Sequence, residues 1–160
     1  MYKKLFLFLF VSVGIVSCTK TTNNAGCQYT ESMVTAPASE VATLQAWITA
    51  NHPAAVLHLS GFFYEITAPG TGGTAALCSY IVIKYSGYLL SGFKFDENLT
   101  GATLQVGKLI LGWQKGIPLI KPGGSIILYV PPTLGYGSAG SGSIPPNSYL
   151  IFTIQLLNIL

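Results

Sequence analysis

Charged side chains are scarce in this sequence of 160 residues, since they make up only 8% of it and arginine is absent. The basic residues are eight lysines, the acidic residues number five, and the formal net charge is +3. A nucleic-acid-binding surface needs a dense patch of Lys and Arg to neutralise phosphates. The lysines of this chain form no such patch in the sequence, so we expect no nucleic-acid partner.

Residues that carry familiar catalytic chemistry are scarce as well. The two histidines, His52 and His58, have no nucleophile beside them, and with the cysteines they make no cluster of metal-ligand spacing. The sequence has no G-x-S-x-G motif, and no glycine-rich loop opens a helix after a strand as phosphate binding requires. We therefore expect no metal and no cofactor, and an activity that needs neither proton transfer nor a covalent intermediate.

The apolar run at the N-terminus, residues 5–16, is too short to cross a membrane. It has about a dozen residues, whereas a spanning helix needs roughly 20. Lys3 and Lys4 precede the run and the small Ser17 follows it, which is the three-part pattern of a secretory signal peptide at residues 1–17. A membrane anchor or a buried helix is the alternative interpretation.

Cys18 follows this signal in the sequence Ile-Val-Ser-Cys, which resembles the lipobox of bacterial lipoproteins. In such proteins the cysteine is acylated and becomes the first mature residue. Each buried methylene of an acyl chain contributes about 0.8 kcal/mol to membrane binding. We predict that Cys18 is the lipid attachment site and that residues 18–37 are a tether. The protein would then be anchored on the periplasmic side of the cell envelope. Thr19 is not an aspartate, which favours the outer membrane over the inner.

Two cysteines remain, Cys27 and Cys78. In an exported chain, two leftover cysteines commonly form a disulfide, and a loop of this length corresponds to about 4 kcal/mol of stability in the loop-entropy model. Two unrelated thiols, with Cys78 buried at the start of a strand, are the alternative.

The rest of the chain predicts an α+β fold. Residues 38–54 carry Val41, Leu44 and Trp47 at helical spacing, which predicts an N-terminal amphipathic helix that either packs on the following domain or mediates dimerisation. Residues 55–160 alternate short strand-like runs with glycine and proline turns, and one short helix is predicted at 110–117. We predict an antiparallel, twisted β-sheet wrapped on that helix, with a hairpin connection between about residues 86 and 92.

Two proline pairs frame a glycine- and serine-rich loop near the C-terminus. Pro131-Pro132 ends one predicted strand, and Pro145-Pro146 precedes the last one, because proline donates no hydrogen bond to a sheet. Between the pairs lies Tyr136, flanked by glycines.

Six sequence pieces, taken in order over about residues 62–160, resemble the FKBP-type peptidyl-prolyl isomerase family. The resemblance implies the FKBP-like fold, prolyl cis/trans isomerase activity and no cofactor. It also implies that the partners are proline-containing segments of exported proteins, and that macrolide inhibitors of the family can bind. The pieces are Lys-Tyr-Ser-Gly at 84–87, Lys-Phe-Asp at 94–96, Gly-Lys-Leu-Ile-Leu-Gly-Trp at 107–113, Leu-Gly-Tyr-Gly at 134–137, Ile-Pro-Pro-Asn at 144–147 and Tyr-Leu-Ile-Phe at 149–152.

The resemblance also implies an apolar pocket for the substrate's proline ring, with a few polar groups that orient the substrate carbonyls. Its members are Trp113 as the floor, Tyr85, Phe95, Leu109 and Phe152 as the walls, the Ile110 N–H and the Tyr136 hydroxyl as donors, Asp96 at the rim, and Ile144 closing the loop side.

Each apolar member of this set, taken alone, is also explained as an ordinary core residue. The sequence departs from the family at Ala102, where a bulkier wall residue is common, and in the small residues of loop 138–143. These departures favour an alternative function, a catalytically weak binding module or chaperone within an envelope complex.

The lipid anchor gives a direct prediction. Cys18→Ala removes the sulfur to which the predicted lipid is attached, so the variant should leave the membrane fraction and appear in the aqueous extract. Cell fractionation followed by immunoblotting measures this, with Thr22→Ala in the predicted tether as the control. Full membrane retention of Cys18→Ala would show that the anchor is elsewhere.

Overall fold

A computed structural model describes residues 27–160. The predicted signal peptide, Cys18 and the tether up to residue 26 lie outside the described residues. Within the described range, no helix is both long and apolar enough to cross a membrane.

Six antiparallel strands form one sheet, and two helices lie against it. Along the sheet the strands follow the order β1-β2-β5-β6-β3-β4, so strands that are distant in sequence become neighbours in its centre. The elements in chain order are α1 (Ala38–Asn51), β1 (Val56–Leu57), β2 (Phe63–Ala68), β3 (Tyr80–Leu89), β4 (Lys94–Gln105), α2 (Leu111–Gly116), β5 (Ser125–Val130) and β6 (Leu150–Ile159), with single 3-10 turns at Val106–Lys108, Ile117–Leu119 and Pro132–Leu134.

The central strand β5 packs against other elements on both of its faces. Side chains alternate between the two faces of a strand, and in β5 Ile126 and Leu128 enter the large core that α2 covers. Tyr129, the residue after Leu128, points to the opposite face and packs with α1. The sheet therefore carries α2 on one side and α1 on the other, and β5 contributes to both hydrophobic clusters.

The predicted N-terminal helix is confirmed as α1, and it packs on the sheet. Leu44 and Ile48, fully buried, contact Phe63 and Tyr129 on the side of the sheet away from α2. Burying two such side chains contributes about 1.5–3 kcal/mol each. Of the two roles that the sequence left open for this helix, the structure shows packing on its own domain.

The segment before α1, residues 27–37, is attached to the domain at several points. Cys27 is bonded to Cys78, with the two Cα atoms 5.7 Å apart. The Tyr29 ring lies against the backbone of Gly107, and the Lys115 ammonium donates a hydrogen bond to the Ser32 carbonyl at 2.6 Å. The sequence predicts a tether up to residue 37, but in the structure residues 27–37 lie along the domain surface, and we call them the strap.

The hairpin between β3 and β4 differs from the prediction. The sequence predicts that Ser86-Gly87 belongs to the connection, whereas β3 runs through both residues to Leu89 and the turn lies at 90–93. The paired strand β4 is correspondingly long and starts at Lys94. A glycine in a strand commonly marks a close approach by another group, and at Gly87 the groups are the rings of Phe95 and Phe152.

The disulfide should stabilise the fold by restricting the unfolded chain. Its two cysteines are 51 positions apart, and the loop-entropy relation gives about 4 kcal/mol for such a loop. We expect reduction, or replacement of both cysteines by serine, to lower the free energy of unfolding by roughly that amount. Urea unfolding with and without reductant measures it. The double-serine variant is the control, because reductant should not change its stability. Equal stability of the oxidised and reduced protein would contradict the prediction.

Candidate active site

A cavity of about 210 Å³ opens at the end of the sheet where α2 meets β3, β4 and β6. This volume is below the roughly 300–1,000 Å³ of typical small-molecule pockets, so it suits one side chain of a bound peptide. The lining is mostly aromatic and aliphatic. Its residues are Tyr85, Phe95, Asp96, Leu104, Lys108, Leu109, Ile110, Trp113, Tyr136 and Phe152.

The sheet register around Gly87 brings two walls of the cavity together. In β3, Gly87 is paired with Asp96 of β4 on one side and with Phe152 of β6 on the other. A Cβ at position 87 would lie 2.6 Å from Cε2 of Phe95 and 3.0 Å from Cε1 of Phe152. Glycine therefore leaves the space into which both rings lean, with centroids 5.6 Å apart and planes at 83°.

The floor of the cavity is Trp113 in α2. Its ring is edge-to-face with Phe152 at 5.0 Å and with Tyr85 at 5.2 Å. Such arrangements are favoured by the aromatic quadrupole and contribute about 0.5–1.5 kcal/mol beyond area burial. Trp113 is 5% exposed and belongs to the main hydrophobic core. The core residues around its ring therefore hold it in place.

A hydrogen bond joins the polar rim to the aromatic wall. The Tyr85 hydroxyl donates to Oδ2 of Asp96 at 2.8 Å. Burial of the hydroxyl, with further contributions from this hydrogen bond and from the charge of Asp96, raises the pKa of Tyr85 from 10.0 to about 12. Tyr85 is therefore neutral at physiological pH and remains a donor. Asp96, at the exposed rim, is held in one orientation by it.

The loop before α2 presents a backbone donor to the cavity. Ile110 is the N-cap of α2 and its carbonyl accepts hydrogen bonds from the Trp113 and Gln114 amides. The Gln114 side chain donates to the carbonyls of Gly107 and Leu109, which fixes the chain on either side of Lys108. Within residues 27–160 the Ile110 N–H has no acceptor. First-turn amides of a helix are available to a ligand in this way.

Tyr136 closes the cavity on the loop side. It lies in residues 131–149, which we call the flap, and 36% of it is exposed. Burial, together with the charge of Asp96, raises the pKa of the Tyr136 hydroxyl. On both sides of Tyr136 the amides of Gly135 and Gly137 donate to the Pro132 carbonyl, at 2.9 and 3.0 Å. The flap is therefore a folded turn with one neutral hydroxyl facing the pocket.

The structure brings eight of the nine residues suggested by the sequence into the lining, and Ile144 is the exception. Ile144 is 7% exposed and belongs to the main core, so it supports the flap from beneath. Two lining residues, Leu104 and Lys108, were not in the sequence-based set. Ala102 does not line the cavity, and Leu104, two positions later in β4, provides the wall at this edge.

Among residues 27–160 no group of three or more His, Cys, Asp or Glu side chains could hold a metal ion. The cavity offers instead an apolar floor and walls, one unpaired amide, two neutral phenols, a carboxylate and the side chain of Lys108. Such a set can bind and orient an apolar ring and the carbonyl groups beside it.

The fold and this cavity define a class of protein. The sequence model of the FKBP-type peptidyl-prolyl cis-trans isomerase family matches residues 73–157, which is more than half of the chain. The protein therefore belongs to the FKBP-type peptidyl-prolyl cis-trans isomerase family, and the family fold expected from the sequence is confirmed.

Individual relatives agree with this assignment. FkpA of Escherichia coli K12, an FKBP-type peptidyl-prolyl cis-trans isomerase, is 37% identical over 103 residues, or 62% of this chain and 38% of the relative. The peptidyl-prolyl cis-trans isomerase Mip of Coxiella burnetii is 34% identical over 121 residues, or 72% and 53% of the two chains. The crystal structure of FkpA from Escherichia coli superposes with a TM-score of 0.69 at 32% identity, covering 76% of this chain and 60% of that one. The matched region thus spans less than two thirds of each of these relatives.

The raised pKa of Tyr85 predicts a specific pH dependence. Its pKa is about 12 in the folded protein and 10.0 as the ordinary value, so its neutral form is favoured by folding. Its contribution to stability should be complete below pH 10 and lost as the pH rises towards 12. Asp96→Asn removes a charge that favours the neutral phenol, so the pKa of Tyr85 should fall but stay above 10, because burial is the largest cause.

NMR titration of the tyrosine Cζ signals measures this pKa, and Tyr85→Phe assigns the signal. Glu97→Gln is the matched control, since the neighbouring carboxylate pairs with Lys94 and should leave the Tyr85 pKa unchanged. An unshifted Tyr85 pKa in Asp96→Asn would contradict the assigned electrostatic contribution.

Proposed function

We propose that this protein is a peptidyl-prolyl cis/trans isomerase that acts on proline-containing segments of exported proteins. The observation that carries the proposal is the cavity, in which an aromatic floor and walls lie beside the Ile110 amide and the Tyr136 hydroxyl. The family membership of the chain supports the same reaction.

The reaction is the rotation of an amide bond, whose barrier is about 18–20 kcal/mol because resonance makes the C–N bond partly double. Water stabilises the planar, charge-separated amide through its carbonyl. A pocket that holds the proline ring on Trp113 and excludes water from the bond removes that stabilisation. A twisted amide that fits the pocket better than the planar one is then favoured, and the rate rises.

Four polar groups of the site have roles that need no proton transfer. The Ile110 N–H and the Tyr136 hydroxyl are donors for the substrate carbonyls on either side of the rotating bond. Tyr85 holds the Asp96 carboxylate at the rim through its 2.8 Å hydrogen bond. Tyr85 has a pKa of about 12 and is neutral near pH 7. Its ionisation therefore introduces no pH dependence of the rate near neutrality.

The same cavity is our proposed binding place for macrolide inhibitors of the family. The lipid on Cys18 would hold the domain at a membrane, on the periplasmic side of the envelope and at the outer membrane rather than the inner. Leucine at position 104 supplies the wall that Ala102 alone would leave open. For that reason we favour an active isomerase over a binding module without turnover.

A protease-coupled proline-peptide assay on the full chain, kept in mild detergent, tests the proposal. Wild type should accelerate isomerisation well above buffer. Tyr136→Phe and Asp96→Val should each lower kcat/KM by roughly two- to tenfold, the range that corresponds to one net hydrogen bond. Tyr80→Phe is the matched control, because this half-exposed tyrosine at the start of β3 does not line the cavity.

Circular dichroism verifies that every variant is folded. A folded wild-type protein with the rate of the buffer alone would reject the isomerase. Titration with a macrolide inhibitor in a Trp47→Phe background, where Trp113 is the remaining tryptophan, then shows whether the cavity binds without turnover.

A further inference from the structure

The first turn of α1 reaches across to the flap. The Thr133 backbone N–H donates a hydrogen bond to Oε2 of Glu40 at 2.9 Å, and the Thr133 hydroxyl donates one to Oε1 at 2.7 Å. Both residues are partly buried. Hydrogen bonds to an ionised carboxylate are about twice as strong as neutral ones, so this two-point contact is among the strongest polar contacts between α1 and the rest of the domain.

Thr133 is connected to Tyr136 through the turn itself. Thr133 lies in the 3-10 turn Pro132–Leu134, next to the carbonyl of Pro132. That carbonyl accepts the amides of both Gly135 and Gly137, the two neighbours of Tyr136. The turn that contains Thr133 is therefore joined by two backbone hydrogen bonds to the residues on either side of Tyr136.

Within residues 27–160 the other contacts of the flap with the rest of the domain are apolar and carry less directional information, because its remaining hydrogen bonds, such as that from the Asn147 N–H to the Gly137 carbonyl, are internal to the flap. Leu134 and Ile144 are buried in the main core, which holds the flap close to the sheet, but burial is non-directional. The stretch 138–143 between them contains only Gly, Ser and Ala. The bidentate contact with Glu40 fixes both a backbone and a side-chain group of one residue, and thereby the orientation of the turn.

The helix does not depend on Glu40 for its own position. Leu44 and Ile48, in the second and third turns of α1, are fully buried against Phe63 and Tyr129. The contact with Thr133 is thus added to a helix that already packs on the sheet.

We propose that Glu40 is a positioning residue for the active site: through Thr133 it holds the flap in the orientation that directs the Tyr136 hydroxyl into the cavity. One residue of the N-terminal helix, which precedes the family-matched region, in this way supports the active site from outside it. The activity measurement that tests this inference rests on the proposed function, whereas the measurement of hydrogen exchange in the flap does not.

Four variants of the full chain separate positioning from simple stability. Glu40→Ala removes both acceptors while keeping a good helix former, and Thr133→Val removes only the hydroxyl at nearly constant volume. Thr133→Ser keeps both donors and should behave as wild type. Ile48→Val loosens the packing of α1 but leaves both hydrogen bonds between Glu40 and Thr133 in place, and it is the matched control for stability.

Two measurements are made on each variant, kcat/KM in the isomerase assay and hydrogen exchange of the flap amides of Gly135 and Gly137. Glu40→Ala should lower kcat/KM about tenfold and speed flap exchange by a similar factor, as expected for the loss of a charge-assisted contact. Thr133→Val should lie in between. Thr133→Ser and Ile48→Val should retain the wild-type flap exchange and activity.

The two proposals fail in different ways. Wild-type protein without isomerase activity would reject the proposed function, while flap exchange still tests the contact between Glu40 and the flap. An active wild type with unchanged flap exchange and activity in Glu40→Ala would overturn the positioning role. Equal losses in Ile48→Val would also overturn it, since they would show that the effect is general loosening of α1.

Discussion

The position of β3 between β4 and β6, in one fixed register, is the constraint on which the site depends. This register places Gly87 beside Asp96 on one edge and Phe152 on the other. The missing side chain at 87 admits the Phe95 and Phe152 rings, and Phe152 in turn meets Trp113 edge-to-face. A shift of one residue would turn every side chain of β3 to the opposite face. Tyr85 would then lose its contact with Trp113, and another residue would stand where Gly87 leaves space for the two rings.

Much of the candidate site could be predicted from the sequence, because short motifs in a fixed order identify the family. The N-terminal helix was predictable for a different reason: its apolar residues repeat at helical spacing, and Pro53 follows its last turn, so it ends at Asn51. Leu104 was missed because the pairing of β3 with β4 is irregular between Ile83 and Tyr85. Such an irregularity changes which residues of β4 face the cavity, and a local pattern of alternation does not reveal it.

The strap was not predictable because the residues to which it is attached are distant in sequence. Residues 27–37 have neither helical nor strand periodicity, and the sequence alone therefore suggested a free tether. Their attachments are to Cys78, Gly107, Lys115 and the carbonyl of Ser60. Ser86-Gly87 was misjudged for a related reason. Glycine usually punctuates a turn, whereas here it makes room for aromatic rings from two other strands.

The strap and α1 complete the domain rather than precede it. The family match begins at residue 73, yet the hydrophobic cluster of Leu44, Ile48, Phe63 and Tyr129 covers the face of the sheet opposite to α2. Without α1, Tyr129 and its neighbours in β5 would expose that face to water. The sequence predicts a division between the helix at residues 38–54 and the domain at 55–160, but the two share one hydrophobic cluster.

The two sides of the cavity are fixed by different kinds of interaction. On the sheet side, Trp113, Phe95 and Phe152 are held by close aromatic packing. Packing of this density leaves little freedom of position. On the loop side, a single tyrosine stands on a turn rich in glycine, and the apolar burial of Leu134 and Ile144 is not directional. Catalysis by orientation loses much of its effect when a donor is displaced by about 1 Å. The directional contact from Glu40 to Thr133 supplies, on the loop side, the precision that packing supplies on the other.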